Sequence, residues 1–202
     1  MNISSLRFEN PFLIGLISAA LALLLYALTV APTISWGDSA DLAMRLVSDV
    51  DQSFVGTHRD YVLWRQVGQA AAWLPVQDAG LRANLFTAFW GAVTVGSVAA
   101  FVQVMSRSIF AAIAAACSLA VAHSFWLLSV IAEVYTFNAA LVFLCFVCIA
   151  FWWDNQRPHL LCLAAFFSGL SLVHHATGLI LAASLTPLMA MRIRTISPAT
   201  LG

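Results

Sequence analysis

Residues 11–31, PFLIGLISAALALLLYALTVA, run for 21 positions without a charge. At about 1.5 Å of rise per residue, a helix of that length crosses a hydrocarbon core of roughly 30 Å. A cleaved signal peptide has a shorter apolar core, about 7–15 residues. Its cleavage site here would fall just before Pro32. The run reads as an uncleaved first membrane helix, and it fixes the class of everything after it. With 62% hydrophobic residues, 9% charged residues and a mean hydropathy of +0.91, the chain lies outside the range of soluble domains.

Further apolar runs predict an all-α, polytopic bundle of about six spanning helices: 11–31, 85–105, 108–122, 134–153, 160–173 and 177–191. In the second run Ala92, Gly96 and Ala100 recur every four residues, a small-residue face suited to close helix packing. The 32 apolar residues from Leu160 to Met191 exceed one crossing, and His174, His175 and Gly178 interrupt them, so they divide into two helices. The whole of 1–202 is expected to form a single membrane domain, either a minimal module or a fragment of a larger enzyme.

Net charge is zero and every basic residue but the histidines is arginine, which offers no nucleic-acid surface. Six crossings put Arg7, Arg107, Arg157 and Arg192/Arg194 on one side, the cytoplasmic one by the positive-inside rule. Residues 32–83 then form one long external loop. Within it, Asp38–Val50 and Asp60–Leu74 carry apolar residues at helical spacing and predict two helices lying on the membrane surface, with Trp64 and Trp73 at headgroup depth. Asp78 is placed to cap the next helix. Cys117, Cys145, Cys148 and Cys162 all lie in apolar stretches. Cys145 and Cys148 form a CxxC without a second pair or nearby histidine, so no metal site is expected.

Polar residues at a membrane rim are expensive and need a reason. On this topology Asp38, Asp41, His58, Arg59, Asp60, His123, Glu133, His174 and His175 all reach the external face from four separate stretches. Each also has a structural reading. Asp38 suits a helix N-cap with Asp41 in the first turn, Glu133 could cap the fourth helix, and His58-Arg59-Asp60 could be a solvated cluster. The histidine pair could serve a metal or haem, although neighbouring helical residues point about 100° apart.

WGDSADL at 36–42, RANLF at 82–86, HSFWLLSVIAEVYTFN at 123–138 and GLSLVHHATGL at 169–179 together resemble the membrane O-mannosyltransferase family typified by eukaryotic transmembrane protein 260. That family belongs to the GT-C glycosyltransferase superfamily. The likeness runs over roughly residues 26–180, and the block from Phe125-Trp126 through Glu133 to Asn138 is its most specific part. Where the family reads Asp-Ser-Gly-Glu, this chain has Asp38-Ser39-Ala40-Asp41. Where it reads His-Pro-Pro-Gly-Tyr-Pro-Leu, this chain has His58-Arg59-Asp60-Tyr61-Val62-Leu63.

The resemblance implies an inverting transferase that moves a sugar, mannose in the type family, from a polyprenyl-phosphate donor to a hydroxyl of a protein or glycan. The lipid-linked sugar is a substrate and no cofactor is implied. Asp38, supported by Asp41, takes the proton of the acceptor hydroxyl, and Glu133 orients a sugar. His58, Arg59, Arg65, His174 and His175 hold the donor phosphate, while Tyr61, Trp126, Tyr135 and Asn138 contact acceptor or sugar. The setting is the bacterial inner membrane with a periplasmic site, or the ER membrane with a luminal one. The competing reading is a non-catalytic membrane scaffold or lipid-binding subunit. Orientation is testable with single cysteines at Ser53 and Gln156 in a background lacking the native four. An impermeant thiol reagent applied to intact cells should label position 53 and spare position 156.

Overall fold

The computed structural model describes residues 10–47 and 61–195, with Val47 and residues 188–195 described in backbone only. The expectations for Arg7, His58, Arg59, Asp60, Arg192 and Arg194 therefore fall on residues or side chains outside the described ones. All regular elements among the described residues are helical: α1 (Pro11–Thr29), α2 (Ser39–Val47), α3 (Val62–Gly68) with a following 3₁₀ turn (Gln69–Trp73), α4 (Ala79–Ser106), α5 (Ile109–Val121), α6 (His123–Val130), α7 (Tyr135–Asn155), α8 (Pro158–His174) and α9 (Thr177–Thr195).

Only α1, α4 and α7 are each long and apolar enough to cross a membrane. α5 and α6 together make a fourth span if their 63° bend is counted within one crossing. α8 has 17 residues and the apolar part of α9 is Thr177–Pro187, about 25 Å or less at helical rise. Length and composition thus support three or four crossings where the hydropathy runs suggested six. The third span ends at the extended Ala122 (φ −60°, ψ 121°) as expected, but the following residues, read as an external connection, form the further helix α6.

α4 is the hub. Asp78 caps it as expected, accepting the Leu81 N–H at 2.7 Å, and the backbone hydrogen bond pulls its carboxyl below the usual range. The small-residue face of α4 meets α1 so closely that a Cβ on Gly96 would lie 2.5 Å from the Gly15 carbonyl oxygen and 2.8 Å from the Ala19 Cβ. Tyr26, fully buried on α1, donates its hydroxyl to the Ala120 carbonyl of α5. At one end Phe12 stacks on Phe151 at 4.7 Å and Arg107 pairs with Asp154. All the breaks at 30–38, 131–134 and 175–176 lie at the other end, where they bond to one another as described below.

Of the two tryptophans expected at headgroup depth, Trp73 is 89% exposed, whereas Trp64 is 0% exposed and packs inside the protein. α3 is drawn inward because Gly68 leaves space for the Leu46 side chain, 2.2 Å from where a Cβ would be, and Trp64 meets Phe86 edge-on at 5.7 Å. Gly96→Leu should destabilise the purified protein by about 1–3 kcal/mol through overpacking. Gly169→Ala, with nothing within 4 Å of the new Cβ, should leave it unchanged or stabilise it by up to about 1 kcal/mol. Thermal unfolding of the two variants checks both.

Candidate active site

The segment Ile131–Val134 joins α6 to α7, only its last carbonyl, that of Val134, taking a helical bond (from the Asn138 N–H at 3.3 Å), and Ile131, Ala132 and Val134 are buried. Buried peptide groups need partners, and several elements supply them. Ala31 N–H, past the end of α1, donates to the Val130 carbonyl at 3.0 Å. Thr87 Oγ1 on α4 accepts the Glu133 N–H at 3.3 Å while donating to its own Ala83 carbonyl at 3.0 Å. His174 Nε2 on α8 donates to the Val134 carbonyl at 3.2 Å. Glu133 is the one side chain of the four that reaches an accessible position, half-buried.

Burial, and after it the negative charge of Asp38, raises the Glu133 carboxyl above the usual range, against a hydrogen bond from the Val134 N–H. Asp38 therefore lies near enough to Glu133 to act on it electrostatically. Asp38 occupies the N-cap position of α2, its carbonyl accepting the Leu42 N–H at 2.9 Å. Its exposed carboxylate takes no hydrogen bond from any described residue, so the side-chain capping expected of it is not seen. The serine beside it holds the turn instead, Ser39 Oγ accepting the Ser35 N–H at 3.3 Å. Asp41 is committed to Arg45 through a 2.7 Å ion pair along α2.

The two adjacent histidines separate. His174 is 5% exposed, edge-on to Phe137 at 4.9 Å. Its Nε2 is bonded to Val134, and its Nδ1 is buried without a hydrogen-bond partner among the described residues. His175 is half-buried, with the Tyr61 ring parallel to it at 6.4 Å and Tyr135 edge-on at 5.9 Å. Asn138 is buried, and each end of its amide is bonded to another helix: its Oδ1 accepts from Ser171 and its Nδ2 donates to Thr177, each at 2.9 Å. Trp126 gives its indole N–H to Thr29 Oγ1 at 3.0 Å and packs with the α1 cluster, apart from the Tyr61–His175–Tyr135 group.

Two arginines stand near the polar end. The Nε atoms of Arg65, on α3, and Arg82, in the first turn of α4, are buried without a hydrogen-bond partner among the described residues. Sequence reasoning did not single out Arg82, Asn84 or Thr87. Asn84 Nδ2 donates at 2.9 Å to both the Ala31 and Thr33 carbonyls, tying the exit of α1 to α4. The available signal was polar residues three and seven apart in a membrane run, Asn84, Thr87 and Thr94, which fall along one helix face. Among the described residues no three His, Cys, Asp or Glu side chains group closely enough to hold a metal ion.

An apolar helical bundle whose polar breaks gather at one end, presenting two interacting carboxylates beside an aromatic-flanked histidine, defines a helical membrane protein with a single polar candidate site. No curated protein and no solved structure matches the chain. The family described as Protein O-mannosyl-transferase TMEM260 N-terminal domain matches residues 61–197, and the chain belongs to that family. Its description is that of a glycosyltransferase. Tyr61, Arg65, Glu133 and His175 fall within the matched residues, whereas Asp38 and Asp41 precede them.

The raised Glu133 pKa has a stability consequence. Folding favours the protonated form, so the stabilisation is complete below the ordinary value of 4.5 and is lost as pH rises through the raised one. Glu133→Gln, which removes the desolvated charge, should unfold at a higher temperature than the parent at pH 7. The difference should vanish when both are melted below pH 4.5.

Proposed function

We propose that the chain carries the catalytic end of a GT-C-type inverting glycosyltransferase that takes mannose from a polyprenyl-phosphate donor and passes it to a hydroxyl of a protein or glycan. The observation that carries this reading is the placement of two carboxylates in unlike surroundings at the polar end of an apolar bundle, Asp38 exposed and Glu133 half-buried, near enough for the charge of one to bear on the other. The exposed Asp38, unencumbered by capping, is the general base. It takes the acceptor proton as the oxygen attacks the anomeric carbon, and the sugar–phosphate bond breaks on the opposite face with inversion. The half-buried Glu133 orients the transferred ring by accepting a hydrogen bond from a sugar hydroxyl.

The leaving group departs as a phosphate anion and needs positive or hydrogen-bonding partners more than a proton. Arg65 and His175 are assigned to it, with His58 and Arg59 of the preceding segment completing the set. Tyr61 and Tyr135 flank His175 and offer ring faces to the sugar. The site is assigned to the periplasmic face of a bacterial inner membrane, or the luminal face of the ER membrane in a eukaryote. The apolar groove of about 480 Å³ bounded by α1, the 3₁₀ turn and α4, with Leu23, Val67, Leu74, Phe89 and Trp90 on its walls, suits the isoprenoid tail.

The exposed Asp38 carboxylate takes no hydrogen bond from any described residue, and an amide of the same shape in its place is a very poor base. Asp38→Asn should therefore keep the parent's melting temperature while lowering mannosyl transfer by about 10²–10⁴-fold, the usual contribution of a general base. Near-normal transfer by this variant would remove Asp38 from the mechanism. Arg65→Ala and His175→Ala should weaken binding of polyprenyl-phosphate mannose more than Arg107→Ala, which touches only the opposite end of the bundle. Equal losses from both ends would refute the phosphate assignment.

A further inference from the structure

A continuous line of hydrogen bonds crosses the ends of three helices. Ser171 Oγ on α8 donates to Asn138 Oδ1 on α7 at 2.9 Å. Asn138 Nδ2 donates to Thr177 Oγ1 on α9 at 2.9 Å. Thr177 Oγ1 is 3.0 Å from His175 Nδ1, and the Thr177 backbone N–H points at the same nitrogen at 3.3 Å. A backbone N–H can only donate, so His175 Nδ1 is an acceptor and carries no proton. Because Asn138 already supplies a hydrogen to Thr177 Oγ1, the threonine's own hydrogen is free to point at Nδ1. The neutral ring must then keep its proton on Nε2.

We infer that Ser171, Asn138 and Thr177 are positioning residues that hold His175 in its Nε2–H tautomer, aiming one fixed hydrogen-bond donor at an oxyanion of the bound substrate. The identity of that oxyanion, the phosphate of the lipid-linked donor, rests on the function proposed above; the tautomer does not. Three features favour a directed donor over a loosely held ring. Ser171 is fully buried and Asn138 nearly so, which shelters the inner end of the line from water and anchors its exposed end at Thr177 and His175. Tyr61 and Tyr135 flank the ring. Gly178 packs α9 against α8 so tightly that a Cβ there would lie 2.3 Å from the Leu172 nitrogen, fixing Thr177 relative to Ser171.

The direct test is ¹⁵N NMR of imidazole-labelled protein in detergent micelles at a pH where His175 is neutral, with His175→Gln used to assign the signal. The parent should show an unprotonated Nδ1 and a protonated Nε2. Asn138→Leu and Thr177→Val should move the signal toward a mixture of tautomers. A mixture in the parent, or an unchanged signal in both variants, would overturn the inference. If Asn138→Leu does not fold, Ser171→Ala removes the far donor with less disturbance and should shift the signal in the same direction.

Binding of undecaprenyl phosphate, with undecaprenol as the control, then reads the consequence. Asn138→Leu and Thr177→Val should each weaken binding of the phosphate by about tenfold, the loss expected for a hydrogen bond to a charged group. Undecaprenol binding should not change. A correct tautomer in a parent that binds neither lipid would overturn the proposed donor and leave the positioning role standing. Phosphate binding that survives both variants intact would overturn the assignment of the His175 donor to that oxyanion.

Discussion

A backbone that leaves helical geometry inside an apolar bundle must find its hydrogen-bond partners in the protein, because the bilayer supplies none. The polar end of this fold is arranged around that requirement. The exit of α1 is held by Asn84, the segment before α7 by Thr87 and His174, and the break between α8 and α9 by the line through Asn138 and Thr177. Each fixture comes from a different helix than the segment it satisfies. The helices are thus locked to one another at the end where the candidate chemistry lies.

This explains why residues that resemble ligands in a sequence turn out to be structural. His174 and Asn138 were read as substrate contacts because polar residues in membrane segments are costly and call for a reason. For both, the reason is a main-chain or side-chain partner on another helix. Only polar groups left over after that accounting remain for substrate. Among the described residues of the polar end these include the Asp38 carboxylate, the Glu133 carboxyl, the outer face of His175, Nδ1 of His174 and the Nε atoms of Arg65 and Arg82.

The helices themselves were largely legible. Uncharged runs marked α1, α4, α5, α7, α8 and α9 to within a few residues at most ends, Asp78 was recognised as a cap, and Ala92–Gly96–Ala100 marked a close contact. α6 was missed because residues 123–133, with His123 and Glu133 at their ends, were read as an external connection after a span ending at Ala122, whereas they form a second helix bent 63° from α5. Trp64 was misplaced because amphipathic spacing separates polar from apolar faces but cannot distinguish lipid from protein as the apolar partner. Within the site, the gathering of Asp38, Glu133 and His175 at one end followed from counting helix reversals. The split between His174 and His175 was not readable beyond their differing directions on a helix, because it depends on which helix each one meets.

The tight seat of Gly178 against Ser171 and Leu172 has a bearing on how anything could enter. With no room for even a methyl group between the first turn of α9 and the last turn of α8, that seam is closed to a sugar, a phosphate or a prenyl chain. Helices α7, α8 and α9 behave there as one rigid wall. The half-buried ring of His175 is approached instead from the side on which Tyr61 and Tyr135 face it.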